Sequence, residues 1–249
     1  MSATTDNSSP FRPAARRRAF EDVILQVEEA IADGRLEPGD RLPPERELAQ
    51  QIGVSRASVR EALRVLESFG ILAARQGRGA DAGSVVRADG QTGLGGLLRI
   101  HSSLLKVPLS DLVELRVAIE AMTARAAAAR RDGDELARLA AAIAEIEDRD
   151  AFLELDTGFH VALARASGNA LAPLLMDALR EAIALQMRAA FEAVADWDAT
   201  RARIAADHAA LAAAVQAGDE DGAAAVVTAH VTGFYELLLR PEGGTESDA

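Results

Sequence analysis

Three of the four histidines in this 249-residue chain lie in Ala- and Leu-rich segments that have the pattern of buried helices. His160 follows Asp156 by four residues in DTGFH, so the two side chains share one face of a helix. His208 and His230 lie further along the chain in two successive predicted helices, and antiparallel packing of these helices can bring the two residues to a similar depth. Three imidazoles and one carboxylate suit a divalent transition metal, zinc first, with nickel and manganese as alternatives. The competing interpretation is that each of the three is a hydrogen-bonded core histidine. His101 has no other candidate ligand near it in the sequence and is expected at the surface or in a linker.

Arginines form a second chemically useful set. Arg56, Arg60 and Arg64 recur every four residues in SRASVREALRVLESFG and therefore line one helical face. Gly53, just upstream, can adopt the left-handed conformation of a tight turn, and Ser55 is expected to cap the helix. A surface arginine stripe is usually only solvated. At the start of a helix after such a turn, it favours contact with guanine in the DNA major groove.

The elements that would position these arginines fit within about 70 residues. The pattern predicts helices over 19–33, over PERELAQQ up to Gly53, and from Ser55 to about Gly70. Two strands, 71–75 and 84–87, are expected to form a hairpin, with Arg75 and Arg78 beside the DNA backbone. The prediction is a winged helix-turn-helix domain over residues 19–87, preceded by a disordered basic tail over 1–18.

The remainder of the chain is predicted to be an all-helical bundle. Residues 88–108 are expected to contain a linker and a linker helix, 109–240 a helical metal- and effector-binding domain, and 241–249 a loose tail. Pro108, Gly133, the SGN at 167–169, Asp198 and Gly218 are the predicted breaks. Helices are expected near 94–106, 109–131, 134–148, 150–167, 170–193, 199–217 and 219–239. The fold class is therefore mainly α.

Composition restricts the function classes. The absence of cysteine excludes disulfides, thiolate metal sites and cysteine nucleophiles. No apolar run is long enough for a membrane span and no signal core is visible, so a cytoplasmic location is expected. The net charge is −12, but residues 1–90 carry 13 Arg against 14 acidic residues, whereas 91–249 carry 14 basic and 25 acidic residues. A nearly neutral first part remains compatible with DNA binding.

The segment GRLEPGDRLPPERELAQQIGVSRASVREALRVLESFGIL resembles the winged helix-turn-helix of the GntR family of bacterial transcription regulators. The resemblance covers about residues 20–87. It implies a homodimer on palindromic double-stranded operator DNA. It also implies DNA contacts by Arg46, Arg56, Ser58 and Arg60, and by Gly77 at the tip of the wing. The stretch GRGADAGSVV is longer than the usual glycine turn of that wing.

Residues 109–239 resemble the FCD effector domain of the FadR subfamily, through LVELRVAIE, FLELDTGFHVALARASGN, DHAALAAAV and AAAVVTAHVTGFYELL. The resemblance implies about seven helices. It also implies metal ligation by Asp156, His160, His208 and His230, in the order in which such domains carry them.

An arginine in the first of these segments has two interpretations. Arg116 can form a salt bridge with Glu120, four residues on, or can hold the carboxylate of a small organic-acid effector beside the metal. The resemblance favours the effector role. Asn169 is a second candidate effector contact, although SGN is also good turn chemistry.

Two functions are therefore considered. The first is a ligand-responsive transcription regulator, either a repressor or an activator, without enzymatic activity. The second is a metal-dependent hydrolase with a DNA-binding appendage, in which the metal activates water. A hydrolase needs a general acid or base near that water, and neither a further histidine nor an obvious spare carboxylate is visible in these apolar helices.

Overall fold

A computed structural model of the protein describes residues 18–75, 83–87 and 93–239. The chain divides into two compact units, Met1–Asp89 and Gly90–Ala249. Within the described ranges, ten helices and one two-stranded sheet make up the regular structure. The predicted mainly α fold class is confirmed.

The first unit contains three helices and a hairpin: α1 Ala19–Ala32, α2 Glu45–Ile52, α3 Arg56–Ser68, β1 Leu72–Arg75 and β2 Gly83–Val86. The strands are antiparallel, with Leu72 opposite Val86. Arg41 forms an additional bridge to Val85, which the sequence pattern did not predict. The core of this unit is formed by aliphatic side chains, among them Val23, Val27, Leu48, Val59, Leu63 and Leu66.

The turn between α2 and α3 has the predicted chemistry. Gly53 ends α2 with φ 79° and ψ 30°, the left-handed conformation that glycine adopts without steric cost. The hydroxyl of Ser55 accepts a hydrogen bond from the Ser58 backbone N–H at 3.1 Å, and so caps α3. This turn fixes the direction in which α3 leaves α2.

The second unit contains seven helices in its described part: α4 Leu94–Leu104, α5 Leu109–Arg130, α6 Asp134–Glu145, α7 Arg149–Ala166, α8 Ala172–Ala193, α9 Trp197–Ala217 and α10 Glu220–Leu239. Helix α5 packs along α10, α6 packs on α7 and α9, and α8 packs on α4 and α7. Phe152, Phe159, Leu211, Val227 and Tyr235 are buried in the common core.

Helix boundaries differ from the predicted ones where local capping decides. Helix α9 begins at Trp197 because Asp196 accepts a hydrogen bond from the Ala199 N–H at 3.0 Å; Asp198 therefore lies in the first turn and is not the predicted break. Helix α6 ends at Glu145, three residues before the predicted end. Lys106, at φ 52°, follows the end of α4.

The linker helix predicted within 88–108 is α4, and it packs on α8 inside the second unit. At Gly95 the two helices approach so closely that a Cβ would lie 2.5 Å from the Cβ of Glu181. Outside the described residues lie 1–17 and 241–249 of the predicted tails, residues 88–92, Gly77 and Arg78. None of the described helices is long and apolar enough to cross a membrane.

Candidate metal centre and DNA-binding surface

Three helices of the second unit bring the predicted metal ligands together. Asp156 and His160 lie one turn apart on α7, His208 is in the middle of α9, and His230 is on α10. Each of the four offers a ligand atom, and these atoms all lie within 4.8 Å of one another. All four side chains are buried. The set predicted from spacing and resemblance thus forms one cluster in space.

The carboxylate of Asp156 has two differently occupied oxygens. Its Oδ1 lies 3.4 Å from Nε2 of His208 and 3.7 Å from Nε2 of His160. Its Oδ2 accepts a hydrogen bond from Arg180 on α8, whose same Nη2 donates to the hydroxyl of Thr157 at 2.9 Å. One oxygen therefore faces the imidazoles while the other is fixed by a buried guanidinium.

Two carboxylates outside the ligand set orient two of the imidazoles. Glu120 on α5 lies 2.5 Å from Nδ1 of His160, and Asp207 on α9 lies 3.2 Å from Nδ1 of His230. When Nδ1 donates to a carboxylate, Nε2 carries the lone pair that a metal needs. His160 and His230 are thus held with Nε2 available for ligation.

Several buried nitrogens of the cluster have no hydrogen-bond partner among the described residues. They are Nε2 of His160 and both ring nitrogens of His208. The ring of His208 stacks on Phe159, with centroids 4.1 Å apart. A buried polar atom without a partner is costly unless something else satisfies it. The unpartnered nitrogens, and a set of three imidazoles with one carboxylate, fit a divalent transition metal.

Burial and neighbouring charges set the protonation of the cluster. Burial lowers the pKa of His208 well below its ordinary value and also lowers the pKa of His230, which favours neutral imidazoles. Burial alone raises the pKa of Asp156, but the charge of Arg180 and the interactions with His160 and His208 together outweigh it and hold that pKa well below the ordinary range. Asp156, His208 and His230 are therefore in the protonation states that metal ligation requires.

Arg116 is buried on α5 and forms the ion pair that the sequence offered as the simpler interpretation. Its Nε donates to Oε1 of Glu120 at 2.5 Å, and its Nη1 donates to the hydroxyl of Tyr235 at 3.4 Å. Burial opposes ionisation of both groups, yet their mutual attraction raises the pKa of Arg116 and lowers that of Glu120. Glu120 thereby links the guanidinium of Arg116 to the imidazole of His160.

Asn169, the other predicted effector contact, is exposed in the turn before α8. Its Oδ1 accepts a hydrogen bond from the Leu171 N–H at 3.0 Å, and its own N–H donates to the Ser167 hydroxyl at 3.2 Å. These contacts account for the SGN turn. A role for Asn169 in effector binding stays a prediction.

The predicted DNA contacts in the described part of the first unit lie on α2 and α3. Arg46, Arg56 and Arg60 are exposed, and Ser58 is half-buried next to the cap. The hydroxyls of Ser55 and Ser58 lie 2.9 Å apart. The guanidinium of Arg60 is paired with Glu45 on α2.

Three residues of these sites were not found from the sequence. Glu120 appeared only as a partner of Arg116, although its second oxygen contacts His160. Asp207 directly precedes His208, and that adjacency was a usable signal, but its partner is His230. Arg180 reaches Asp156 from a helix 24 residues further along the chain, and no local pattern indicates this contact.

Comparison with known proteins agrees with both parts of the chain. Residues 20–81 match the bacterial regulatory proteins of the gntR family, and residues 111–233 match the FCD domain. An HTH-type transcriptional regulator of Mycobacterium tuberculosis is 33% identical over 230 residues, covering 91% of this chain and 92% of the relative. The putative L-lactate dehydrogenase operon regulatory protein of Escherichia coli is 32% identical, covering 90% and 88%.

Two further proteins are also similar over most of their length. LutR, an HTH-type transcriptional regulator of Bacillus subtilis, is 31% identical and covers 84% of this chain and 95% of its own length. The solved structure of a Streptococcus agalactiae GntR protein has a TM-score of 0.56 at 24% identity, covering 86% of this chain and 98% of that one, and shows the same fold. Relatives aligned over nearly their whole length, with both domains in order, identify this chain as a member of the GntR family of bacterial DNA-binding transcription regulators that carries an FCD effector domain.

Proposed function

We propose that this regulator is a metal-dependent sensor of a small carboxylate, and that the carboxylate changes its affinity for operator DNA. The observation that carries this proposal is the buried cluster of Asp156, His160, His208 and His230, with its unpartnered imidazole nitrogens. In this proposal the four side chains hold a divalent transition metal, with zinc preferred over nickel and manganese for three imidazoles and one carboxylate. When bound, such an ion supplies a double positive charge that attracts an anionic ligand.

The charge balance around the cluster supports an anionic effector. Two buried cations, Arg116 and Arg180, are matched by two buried anions, Glu120 and Asp156. A divalent ion leaves this fully buried set with an excess of positive charge, only part of which the one-third-exposed carboxylate of Asp207 beside His230 can offset. Uncompensated buried charge is costly. A carboxylate ligand reduces that cost, whereas a neutral ligand does not.

Arg116 is the proposed anchor for that carboxylate. Glu120 fixes its Nε, and the bond from Nη1 to Tyr235 is long at 3.4 Å, so the Nη groups are only weakly engaged. A guanidinium whose orientation is fixed at one edge is well suited to bind a carboxylate at another. Arg116 would then act both through Glu120 on His160 and directly on the effector.

The hydrolase alternative finds less support. Both carboxylates next to the imidazoles are engaged: Glu120 by Arg116 and His160, and Asp207 by His230. A general base must be able to accept a proton from metal-bound water. Neither of these two side chains is available for that step while it orients a histidine.

DNA binding is proposed to follow the helix-turn-helix arrangement. Helix α3 enters the major groove, and Arg46, Arg56, Ser58 and Arg60 contact the operator, together with Gly77 of the wing. A homodimer of the FadR subgroup, with two symmetric α3 helices on a palindromic operator, completes the proposal. Acting on bacterial DNA, the protein would work in the cytoplasm.

A binding panel tests the sensor directly. The name of one relative refers to an L-lactate dehydrogenase operon, so L-lactate is the first probe, followed by other small hydroxy, keto and dicarboxylic acids. Elemental analysis of never-chelated protein should find about one transition metal per chain. A carboxylate at 100 times its Kd should stabilise the metal-loaded protein by about 2.7 kcal/mol. The chelated protein should not respond.

Substitution of the proposed anchor separates its role from metal binding. Arg116→Lys keeps the positive charge but removes the planar fork, so the carboxylate response should fall while metal content stays near that of the parent. Arg125→Lys, on the exposed face of the same helix, is the matched control. Protein without any transition metal, or an equal carboxylate response in the Arg116→Lys variant, would contradict the proposal.

A further inference from the structure

The guanidinium of Arg60 is held by a carboxylate from the neighbouring helix. Glu45, the first residue of α2, accepts hydrogen bonds from Nε of Arg60 at 3.3 Å to each oxygen and from Nη2 at 3.0 Å. The two residues are 15 positions apart, so the pair depends on the packing of α2 against α3. In the described part of the chain, Arg56 and Arg64 on the same stripe form no comparable side-chain hydrogen bond.

Folding stability does not explain this pair. The side chains are 52% exposed for Arg60 and 33% for Glu45, and water and salt screen an exposed ion pair strongly. The position of Glu45 also has a cost for DNA binding, because a negative charge beside the arginine stripe repels phosphate. The hydrogen bonds from Arg60 and the charges of Arg56 and Arg64 nevertheless keep the pKa of Glu45 below its ordinary value, against the effect of partial burial.

The N–H groups of Arg60 that Glu45 leaves free indicate the role of the pair in DNA binding. Glu45 occupies the edge formed by Nε and Nη2, which leaves the end of the group, with one N–H on each Nη, able to donate two parallel hydrogen bonds. Guanine presents O6 and N7 as two acceptors on its major-groove edge. A long arginine side chain normally loses much rotamer freedom when it makes such a contact, and a preset orientation reduces that loss.

We propose that Glu45 is a positioning residue for DNA specificity, which orients Arg60 for bidentate contact with one guanine of the operator. The inference rests on the proposed function, in which α3 enters the major groove. Glu45 contributes little to overall DNA affinity and acts on discrimination between bases at a single position.

The test begins with selection of binding sites by the full-length protein from a random double-stranded library. Fluorescence anisotropy then measures Kd for the selected site and for copies in which each guanine is replaced in turn. Arg60→Ala identifies the base that Arg60 reads, as the position at which discrimination disappears. A bidentate arginine–guanine contact provides roughly 5- to 150-fold discrimination.

Three variants then isolate the contribution of Glu45. Glu45→Gln should reduce discrimination at the base read by Arg60 by at least about threefold, a part of the range that a bidentate contact provides. Glu47→Gln removes the same charge from an exposed position on the same helix and should raise affinity for all DNA without changing that ratio. In the Arg60→Ala background, Glu45→Gln should cause no further loss of discrimination. Circular dichroism melting checks that each variant is folded.

The possible results separate this inference from the function on which it rests. Unchanged discrimination in Glu45→Gln, an equal loss in Glu47→Gln, or a further loss in the absence of Arg60 would each overturn the positioning role. Failure of the parent protein to select any sequence would overturn the proposed operator binding itself, and the inference with it.

Discussion

The imidazole of His230 illustrates how one neighbouring side chain can set the chemistry of a buried group. Asp207 lies 3.2 Å from its Nδ1 and is itself one third exposed, so it can be substituted without opening the core. A carboxylate that accepts a hydrogen bond from a metal-ligating imidazole typically contributes 10- to 100-fold to metal affinity. The same logic applies to Glu120 and His160, but there the carboxylate is completely buried and substitution would also disturb packing.

The first prediction follows from this difference. Asp207→Ala should weaken metal affinity by roughly 10- to 100-fold while the melting temperature of the metal-free protein changes little. Competition with a chromophoric chelator measures the affinity, and Asp198→Ala, exposed on the same helix, is the control. Equal metal affinity in the Asp207→Ala and Asp198→Ala variants would show that Asp207 does not contribute to metal binding.

The second prediction concerns pH. Burial lowers the pKa of His208 and His230 below the usual 6.5, so the unfolded chain binds more protons than the folded one as the pH falls through that value. Stability from the neutral imidazoles is thus present above pH 6.5 and is lost below it. Asp156 and Glu120 have lowered pKa values and stay ionised in this range.

Thermal unfolding of the chelated protein between pH 7.5 and 5.5 measures this dependence. The melting temperature should fall with decreasing pH, and His208→Gln should flatten the slope. A melting temperature that stays constant over the range would show that these imidazoles are not held neutral by burial.

At the scale of elements, the turn between α2 and α3 determines where the arginine stripe lies. Gly53 has φ 79°, and no neighbouring atom lies within 4 Å of a Cβ built there, so only backbone strain opposes substitution. Gly53→Ala should therefore destabilise the first unit by about 1 kcal/mol. The urea midpoint, followed by circular dichroism, measures the effect.

Gly96→Ala is the matched comparison for that variant. Gly96 lies inside α4, where a Cβ would be 3.6 Å from Oε1 of Glu181, an ordinary contact. Alanine is favoured over glycine in a helix by roughly 0.5–1 kcal/mol, so this substitution should be neutral or stabilising. A Gly53→Ala variant as stable as Gly96→Ala would contradict the strain argument.

Local patterns explain why most of the elements could be predicted from the sequence. Helical periodicity, the Ser55 cap and the Gly53 turn act within a few residues, and all are present in the structure. The start of α9 was placed two residues late because Asp196 and Asp198 are both acceptable caps by type. The Arg41 bridge to Val85 depends on tertiary contact, which periodicity does not encode.

In the candidate metal centre, too, features set by local sequence could be predicted and contacts between distant helices could not. Asp156 and His160 share a helical face, and antiparallel packing was expected to bring His208 and His230 to a similar depth. The resemblance then implied all four as ligands, so the cluster could be anticipated. The contacts of Arg180 with Asp156 and of Glu120 with His160 join helices distant in sequence. Their discovery required the packed structure.

For the whole molecule, the proposed homodimer has a candidate surface on α4. Leu97, Ile100 and Leu104 lie along one side of this helix and are 41%, 61% and 72% exposed. A row of exposed aliphatic side chains is typical of an interaction surface. A second copy of this chain is the proposed partner because symmetric α3 helices require one.

Substitution on this row tests the dimer. Leu104→Glu should shift the protein from dimer to monomer in light scattering at micromolar concentration, because it places a charge in an apolar contact. Lys106→Glu, an exposed change two residues further on, should leave the mass unchanged. Dimers of equal stability in both variants would exclude this face from the interface.

The central claim is that metal, carboxylate and operator are energetically coupled. Coupling between two binding sites typically amounts to 1–3 kcal/mol, or roughly 5- to 150-fold in affinity, and is reciprocal. The most direct measurement is the operator Kd of the full-length protein by fluorescence anisotropy, with and without a saturating carboxylate from the panel, in metal-loaded and chelated samples. We predict a change of about that size in the metal-loaded protein and none in the chelated protein. An operator Kd that is the same with and without a carboxylate known to bind would contradict the account.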